Sequence, residues 1–211
     1  MADRAHAAEA WSALAWAIPL AIAVWIVAFA WRPANFWLLM TAGVGGLALC
    51  ALGARGPFPW EEGAQRIDIL TGAAAAAALY AAFALGRAII GPLFPAAPSQ
   101  ISKLYALRAQ APAWAIALLV AAVIAPGEEL FWRGLVQWGL VQRWGPGRGW
   151  AAATALYAAA HLAAANALLV AAALVAGGFW GLLYLRMGRI IPVVICHVLW
   201  DLAVFVLAPL R

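Results

Sequence analysis

Residues 112–142 read PAWAIALLVAAVIAPGEELFWRGLVQWGLVQ. The stretch opens with fourteen uncharged, mostly aliphatic residues. It then passes through Pro126-Gly127 into Glu128, Glu129 and Arg133, and becomes apolar again. A bilayer-spanning helix takes about 20 residues, so the stretch is long enough to cross and too long for one straight span. Pro126-Gly127 predicts a kink, because proline removes a backbone donor and both residues weaken a helix.

Similar apolar runs recur on both sides, at about 11–31, 36–53, 67–90, 150–164, 167–186 and 190–208. The composition agrees: 68% of the 211 residues are apolar and 10% are charged, against about 45–50% and about 25% in soluble domains. Inside lipid every backbone polar group needs an internal partner, which leaves helices or a closed barrel. Continuous rather than alternating runs exclude the barrel. The sequence therefore predicts an all-α polytopic transmembrane helical bundle. It has about seven spans (six to eight) around a polar intramembrane cavity and forms one integrated membrane domain. Residues 1–110 carry no recognisable motif, and 111–211 hold the chemistry-bearing core.

The predicted breaks are Arg32-Pro33, Gly53 to Pro57 followed by Glu61-Glu62, Gly91-Pro92 to Arg108, Gly145 to Gly149, and Arg186 to Arg189. Asn166 separates the fifth and sixth runs. Trp11, Trp31, Trp60, Trp144, Trp150 and Trp200 lie near span ends, as an interfacial aromatic belt requires. The first run ends in Ala28-Phe29-Ala30, which imitates a cleavage site. At about 20 residues it exceeds the apolar core of a signal peptide, and it reads as a retained span.

The net charge of +5 comes from basic residues scattered at run ends, so no nucleic-acid partner is expected. Their distribution over the loops favours an inside N-terminus. The dominance of Arg over Lys, with abundant Ala and Trp, suggests a bacterial source and hence the cytoplasmic (inner) membrane. Cys50 and Cys196 lie within apolar runs and read as plain buried thiols.

The ionisable residues inside the runs are few and concentrated in the second half: Glu128, Glu129, Arg133, His161, His197 and Asp201. A charge at mid-bilayer costs at least about 2.5–3.5 kcal/mol, so such a set marks a site facing a wet cavity. Glu129 and Arg133 are four apart and share a helix face, which makes Glu129 a structural ion-pair partner. Glu128 points elsewhere and lacks a local cation, which leaves it free for general-base work. Tyr157 and His161 share a face, as do His197 and Asp201, where the carboxylate can orient the imidazole. The last pair also suits zinc. The zinc-protease motif H-E-x-x-H and the motif G-x-S-x-G are both absent. No serine follows Ser102, which excludes a serine nucleophile in this half. Each group has a plainer reading too: an ion-pair knot, an interhelical hydrogen bond, a helix-to-helix polar lock.

Glu128-Glu129-x-x-x-Arg133, Tyr157-x-x-x-His161 and His197-x-x-x-Asp201, in this order, resemble the CPBP family, the CAAX-protease and bacteriocin-processing group. Its pattern is E-E-x-x-x-R, F-x-x-x-H and H-x-x-x-N/D. Tyr157 for Phe is a mild departure. Asp201 stands where the prenyl-protein protease of the family has Asn. An ionised Asp cannot donate to an oxyanion, so Asp201 would be protonated or would orient His197.

The resemblance implies a glutamate-type intramembrane endopeptidase with catalytic Glu128, His161, His197 and Asp201. Glu128 and His161 would activate a water, and His197 with Asp201 would stabilise the oxyanion. Glu129, Arg133 and Tyr157 would support the site. It implies no cofactor; were a metal used, Glu128, His161, His197 and Asp201 would be its ligands. The implied partner is a membrane-anchored protein or peptide. Its C-terminal tail or sorting signal would be cut, as in myxosortase-type members. A non-catalytic scaffold or immunity protein of the same fold, and a proton-coupled transporter, are the competing readings.

Overall fold

The computed structural model describes residues 2–55 and 63–210. Trp60, Glu61, Glu62 and the Gly56-Pro57 turn lie outside them. Among the described residues there is no strand. Helix α1 is Ala2–Trp25 and continues as a wide turn, Ile26–Trp31. Then come α2, Phe36–Arg55, and α3, Arg66–Leu93. Helix α4, Ala97–Tyr105, tightens into a 3-10 turn at Ala106–Gln110. Helix α5 is Ala113–Trp144. Helix α6, Pro146–Ala160, ends in the 3-10 turn His161–Ala164. The last two are α7, Ala167–Met187, and α8, Ile191–Leu207.

Seven of these helices fall on the seven predicted runs. Five stretches are long and apolar enough to cross a membrane: Trp11–Trp31 of α1, and helices α2, α3, α5 and α7. Helix α8 is apolar and shorter. Large apolar side chains such as Leu49, Leu70, Trp114 and Leu162 point outward. A surface of that kind is stable only against lipid. The chain is an integral membrane protein with a helical bundle fold.

Two elements depart from the sequence reading. The connection 91–108 contains helix α4, because Pro98 lies in its first turn rather than ending one; the missing donor of proline is an orphan there anyway. Helix α5 does not break at Pro126-Gly127. It widens instead into π-helical turns at Val120–Ile124 and Leu130–Gln137, on either side of a short α segment, Ala125–Glu129. The Ala125 N–H bonds the Val120 carbonyl five residues back, so the ladder changes register just before the proline that cannot donate. Widened turns of this kind recur at functional sites.

Helix α5 is central. Helices α1 and α2 pack together and against α5, α6 packs against α5 and α7, and α8 packs against α3, α5 and α7. Small residues let the backbones approach, the usual device where lipid supplies no hydrophobic drive. A Cβ on Gly127 would lie 2.7 Å from Val44 Cγ1 of α2. The predicted boundaries have identifiable caps. Asn35 Oδ1 accepts from the Trp37 N–H at 2.9 Å to open α2. Asn166 Oδ1 accepts from the Leu169 N–H at 3.0 Å to open α7, following Ala165 in the left-handed region. Asp68, fully buried, receives a fork from Arg189 at 2.9 and 2.8 Å, tying the start of α3 to the turn before α8.

The belt reading fits Trp11, Trp31 and Trp144, which are exposed. It fails for Trp200, which is buried against Phe83 and Trp180 with ring centroids 5.0 and 5.6 Å apart.

Helix α3 packs mainly along α8. At the crossing, a Cβ on Gly72 would lie 2.7 Å from Ile195 Cβ and 2.8 Å from the Pro192 carbonyl oxygen. The backbone oxygen cannot swing away, so Gly72→Ala forces the helices apart. The expected cost is about 1–3 kcal/mol of overpacking, read as a lower Tm in detergent. An unchanged Tm would show that α3 docks on α8 in another way.

Candidate active site

The local helix geometry assembles the polar residues on three elements. Glu128, Glu129 and Arg133 come from α5, Tyr157 and His161 from α6, and His197 and Asp201 from α8. All seven side chains are buried, and Glu129 is fully so. Six of the seven form two linked clusters; Asp201 completes the second at longer range.

The first cluster contains Glu128. The Tyr157 hydroxyl donates to Glu128 Oε2 at 2.8 Å. One turn on, His161 packs its ring against Tyr157 with centroids 4.7 Å apart. Its Nδ1 lies 2.8 Å from the Tyr157 backbone carbonyl. A carbonyl only accepts, so Nδ1 carries the proton and Nε2 keeps a lone pair. The Trp25 indole N–H, from α1, donates to that Nε2 at 3.3 Å. Glu128 and His161 thus line one cavity without a direct hydrogen bond, and their link runs through Tyr157.

The second cluster is an ion-pair network. Glu129 Oε1 accepts from Arg133 Nη1 at 3.0 Å and from His197 Nδ1 at 2.6 Å. Arg133 Nη2 donates to the Gly177 carbonyl at 3.0 Å. The guanidinium lies over the Tyr157 ring at 4.7 Å and faces Trp180 at 5.4 Å. Trp180 stacks on His197 with centroids 3.8 Å apart and planes 19° from parallel. His197 Nε2 lies 3.4 Å from Asp201 Oδ2. With a carboxylate at each nitrogen, the ring can donate at both only as imidazolium.

The reading that Glu129 serves Arg133 alone is therefore incomplete. Glu129 is the nearer partner of His197, and the carboxylate closer to the imidazole comes from α5 rather than from the histidine's own helix. Asp201 makes the looser contact. Tyr157 for Phe is not a mild change either, since its hydroxyl makes a direct bond to Glu128. Cys196, beside His197 in sequence, is a free thiol packed into the core.

Glu128, Tyr157, His161, His197 and Asp201 sit at the wall of a cavity of about 360 Å³, whose remaining wall is mostly apolar, with Phe36, Phe83, Leu104 and Phe205, and also carries Arg87, Gln100 and Asn166. Helices α1 to α4 supply part of that wall, although residues 1–110 carry no motif. Among the described residues, no group of three or more His, Cys, Asp or Glu side chains is arranged to hold a metal ion.

Sequence reasoning missed Trp25 and Trp180. Both are uncharged residues in apolar runs, where they read as packing. A retrospective signal exists for Trp180 alone: it lies between Gly177-Gly178 and Gly181, where three glycines in one span mark a close approach.

No curated protein and no solved structure matches the chain significantly. A family model does match, described as type II CAAX prenyl endopeptidase Rce1-like, over residues 110–203. That stretch contains all seven polar residues of the two clusters. Over it, this integral membrane protein is similar to the Rce1-like CAAX prenyl endopeptidases of the CPBP group.

Proposed function

We propose that the protein is an intramembrane endopeptidase that cuts a membrane-anchored protein near its C-terminal tail or sorting signal. A water bound at Glu128 attacks the scissile carbonyl carbon, and its proton passes to Glu128. The carbonyl oxygen, becoming an oxyanion, takes the Nε2–H of His197 in place of the loose 3.4 Å contact with Asp201. Glu129, at 2.6 Å from Nδ1, holds the ring and offsets its charge. Collapse breaks the C–N bond, and Glu128 returns the proton to the leaving amine. His161 supplies a second polar group on the water side, its Nε2 exchanging Trp25 for the water. No metal takes part in these steps.

One observation carries this reading. A carboxylate bonded to a tyrosine and an imidazole backed by a buried carboxylate, from different helices, share one largely apolar cavity. An apolar tail entering from lipid can lie along the aliphatic and aromatic wall while its peptide carbonyls reach these groups. A bacterial inner membrane is the proposed location, on the Arg-rich composition.

The test uses purified protein in detergent and quenched-fluorescence peptides ending in an apolar C-terminal stretch, with and without a farnesylated cysteine. Cleavage of the tailed peptides, unchanged by chelators such as 1,10-phenanthroline, is expected. Abolition by chelator would sink the metal-free mechanism. Cleavage of farnesylated peptides alone would replace the sorting-tail substrate with a prenylated one. Failure to cut any membrane-anchored polypeptide would leave the protease reading without support.

A further inference from the structure

The Glu128 carboxylate has two oxygens, and the structure treats them differently. Oε2 accepts from the Tyr157 hydroxyl at 2.8 Å. Among the described residues, no other side chain donates to Glu128. The tyrosine that holds it cannot turn away. Arg133 lies over its ring at 4.7 Å, His161 meets its edge at 4.7 Å and Trp132 at 5.4 Å. On the remaining side the α7 backbone presents Gly177, where even a Cβ would come within 2.6 Å of Tyr157 Cδ1. A hydroxyl at the end of so confined a ring is held in one place, beside Glu128. A buried hydroxyl also needs a partner, and here that partner is the carboxylate.

We propose that Tyr157 is a positioning residue: its hydroxyl engages Glu128 Oε2 and so reserves Oε1 for the attacking water. The inference rests on the protease reading and deepens it. A carboxylate anchored at one oxygen by a fixed donor keeps its other oxygen in one orientation. An unanchored carboxylate in the same cavity would share its conformers among several waters. Holding a base in its productive geometry is the part of catalysis that binding alone does not supply. Phenylalanine fills the same space and cannot do this. Tyr157 thus differs from a ring that only packs, and the difference is confined to one oxygen atom.

The decisive comparison is Tyr157→Phe with Glu128→Gln, both in the full chain in detergent, on the tailed quenched peptides. Tyr157→Phe is expected to lower kcat about 10–100-fold, the range for losing one hydrogen bond to a charged group. KM should stay within about twofold, and Tm should fall only modestly, since packing is kept while a buried carboxylate loses its side-chain donor. A spacer role would leave kcat at the wild-type value, and that result overturns the inference. Infrared difference spectra give an arm that needs no substrate. The carboxylate band identified by Glu128→Gln should shift in Tyr157→Phe, and its failure to move also overturns the inference. If Tyr157→Phe does not fold, the tyrosine C–O band in Glu128→Ala reads the same bond from the other side. Full cleavage by Glu128→Gln would remove the protease reading and this inference together. Full cleavage by Tyr157→Phe, with Glu128→Gln inactive, removes the inference alone.

Discussion

Glu128→Gln is expected to lose cleavage by a factor of about 10²–10⁴, the usual contribution of a positioned general base. Glutamine keeps the size and shape of the side chain, and its carbonyl oxygen still accepts from the Tyr157 hydroxyl, now 2.8 Å from Glu128 Oε2. What it cannot do is take a proton from water. Stability should hardly change, because among the described residues Glu128 makes no ion pair: the buried cation Arg133 is matched by Glu129. The loss should therefore appear in kcat, with Tm held. A comparison with Glu129→Gln separates roles within the acidic pair. That variant loosens both Arg133 and His197, so its activity and its Tm should fall together. Wild-type turnover by folded Glu128→Gln would end the assignment of the base.

The second large effect concerns stability. Arg133→Leu is expected to cost about 3–5 kcal/mol, the range for removing one partner of a buried ion pair. Arg133 is nearly inaccessible and does four things at once. It neutralises Glu129, donates to the Gly177 carbonyl of α7, and covers the faces of Tyr157 and Trp180. Leucine replaces little more than the aliphatic stem. Glu129 would then remain fully buried with only His197 beside it. The double variant Glu129→Leu/Arg133→Leu should recover part of the loss, because no uncompensated charge remains. Unfolding in a graded detergent–denaturant series measures both. A loss below about 1 kcal/mol for the single variant would mean that water reaches Glu129 and screens it, as it does exposed pairs.

Much of this was legible in the residues. The long apolar runs dictate helices because lipid offers the backbone no partner, and the boundaries at Arg32-Pro33, Asn166 and Arg186–Arg189 coincide with helix ends. Glu129 with Arg133 follows from spacing four on one helix, a local rule. Three things were not legible, each for a physical reason. Pro126 reads as a break because proline costs a hydrogen bond, but a change of ladder register absorbs that cost, and sequence does not display register. Helix α4 is short and amphipathic beside prolines, so it looks like a loop. The cross-helix contacts, Trp25 to His161, Trp180 on His197 and Glu129 to His197, depend on how α1, α6, α7 and α8 are placed around α5. No spacing along one chain segment encodes that placement.

The paired π-helical turns of α5 have a consequence for how this segment tolerates change. Each holds one residue more than the α-helical path would need, so each behaves as a spare link in a chain whose phase sets the aim of everything beyond it. Removing a single residue between Val120 and Ile124 would let the backbone fall back to ordinary helix with the residues on either side still in phase. Glu128, Glu129 and Arg133, which all lie beyond that turn, would keep their aim, whereas a residue lost from an ordinary α-helical stretch would swing all three together by about 100°. Substitutions on this helix alter single contacts; the wide turn is the place where the helix can lose a whole residue and keep the site assembled.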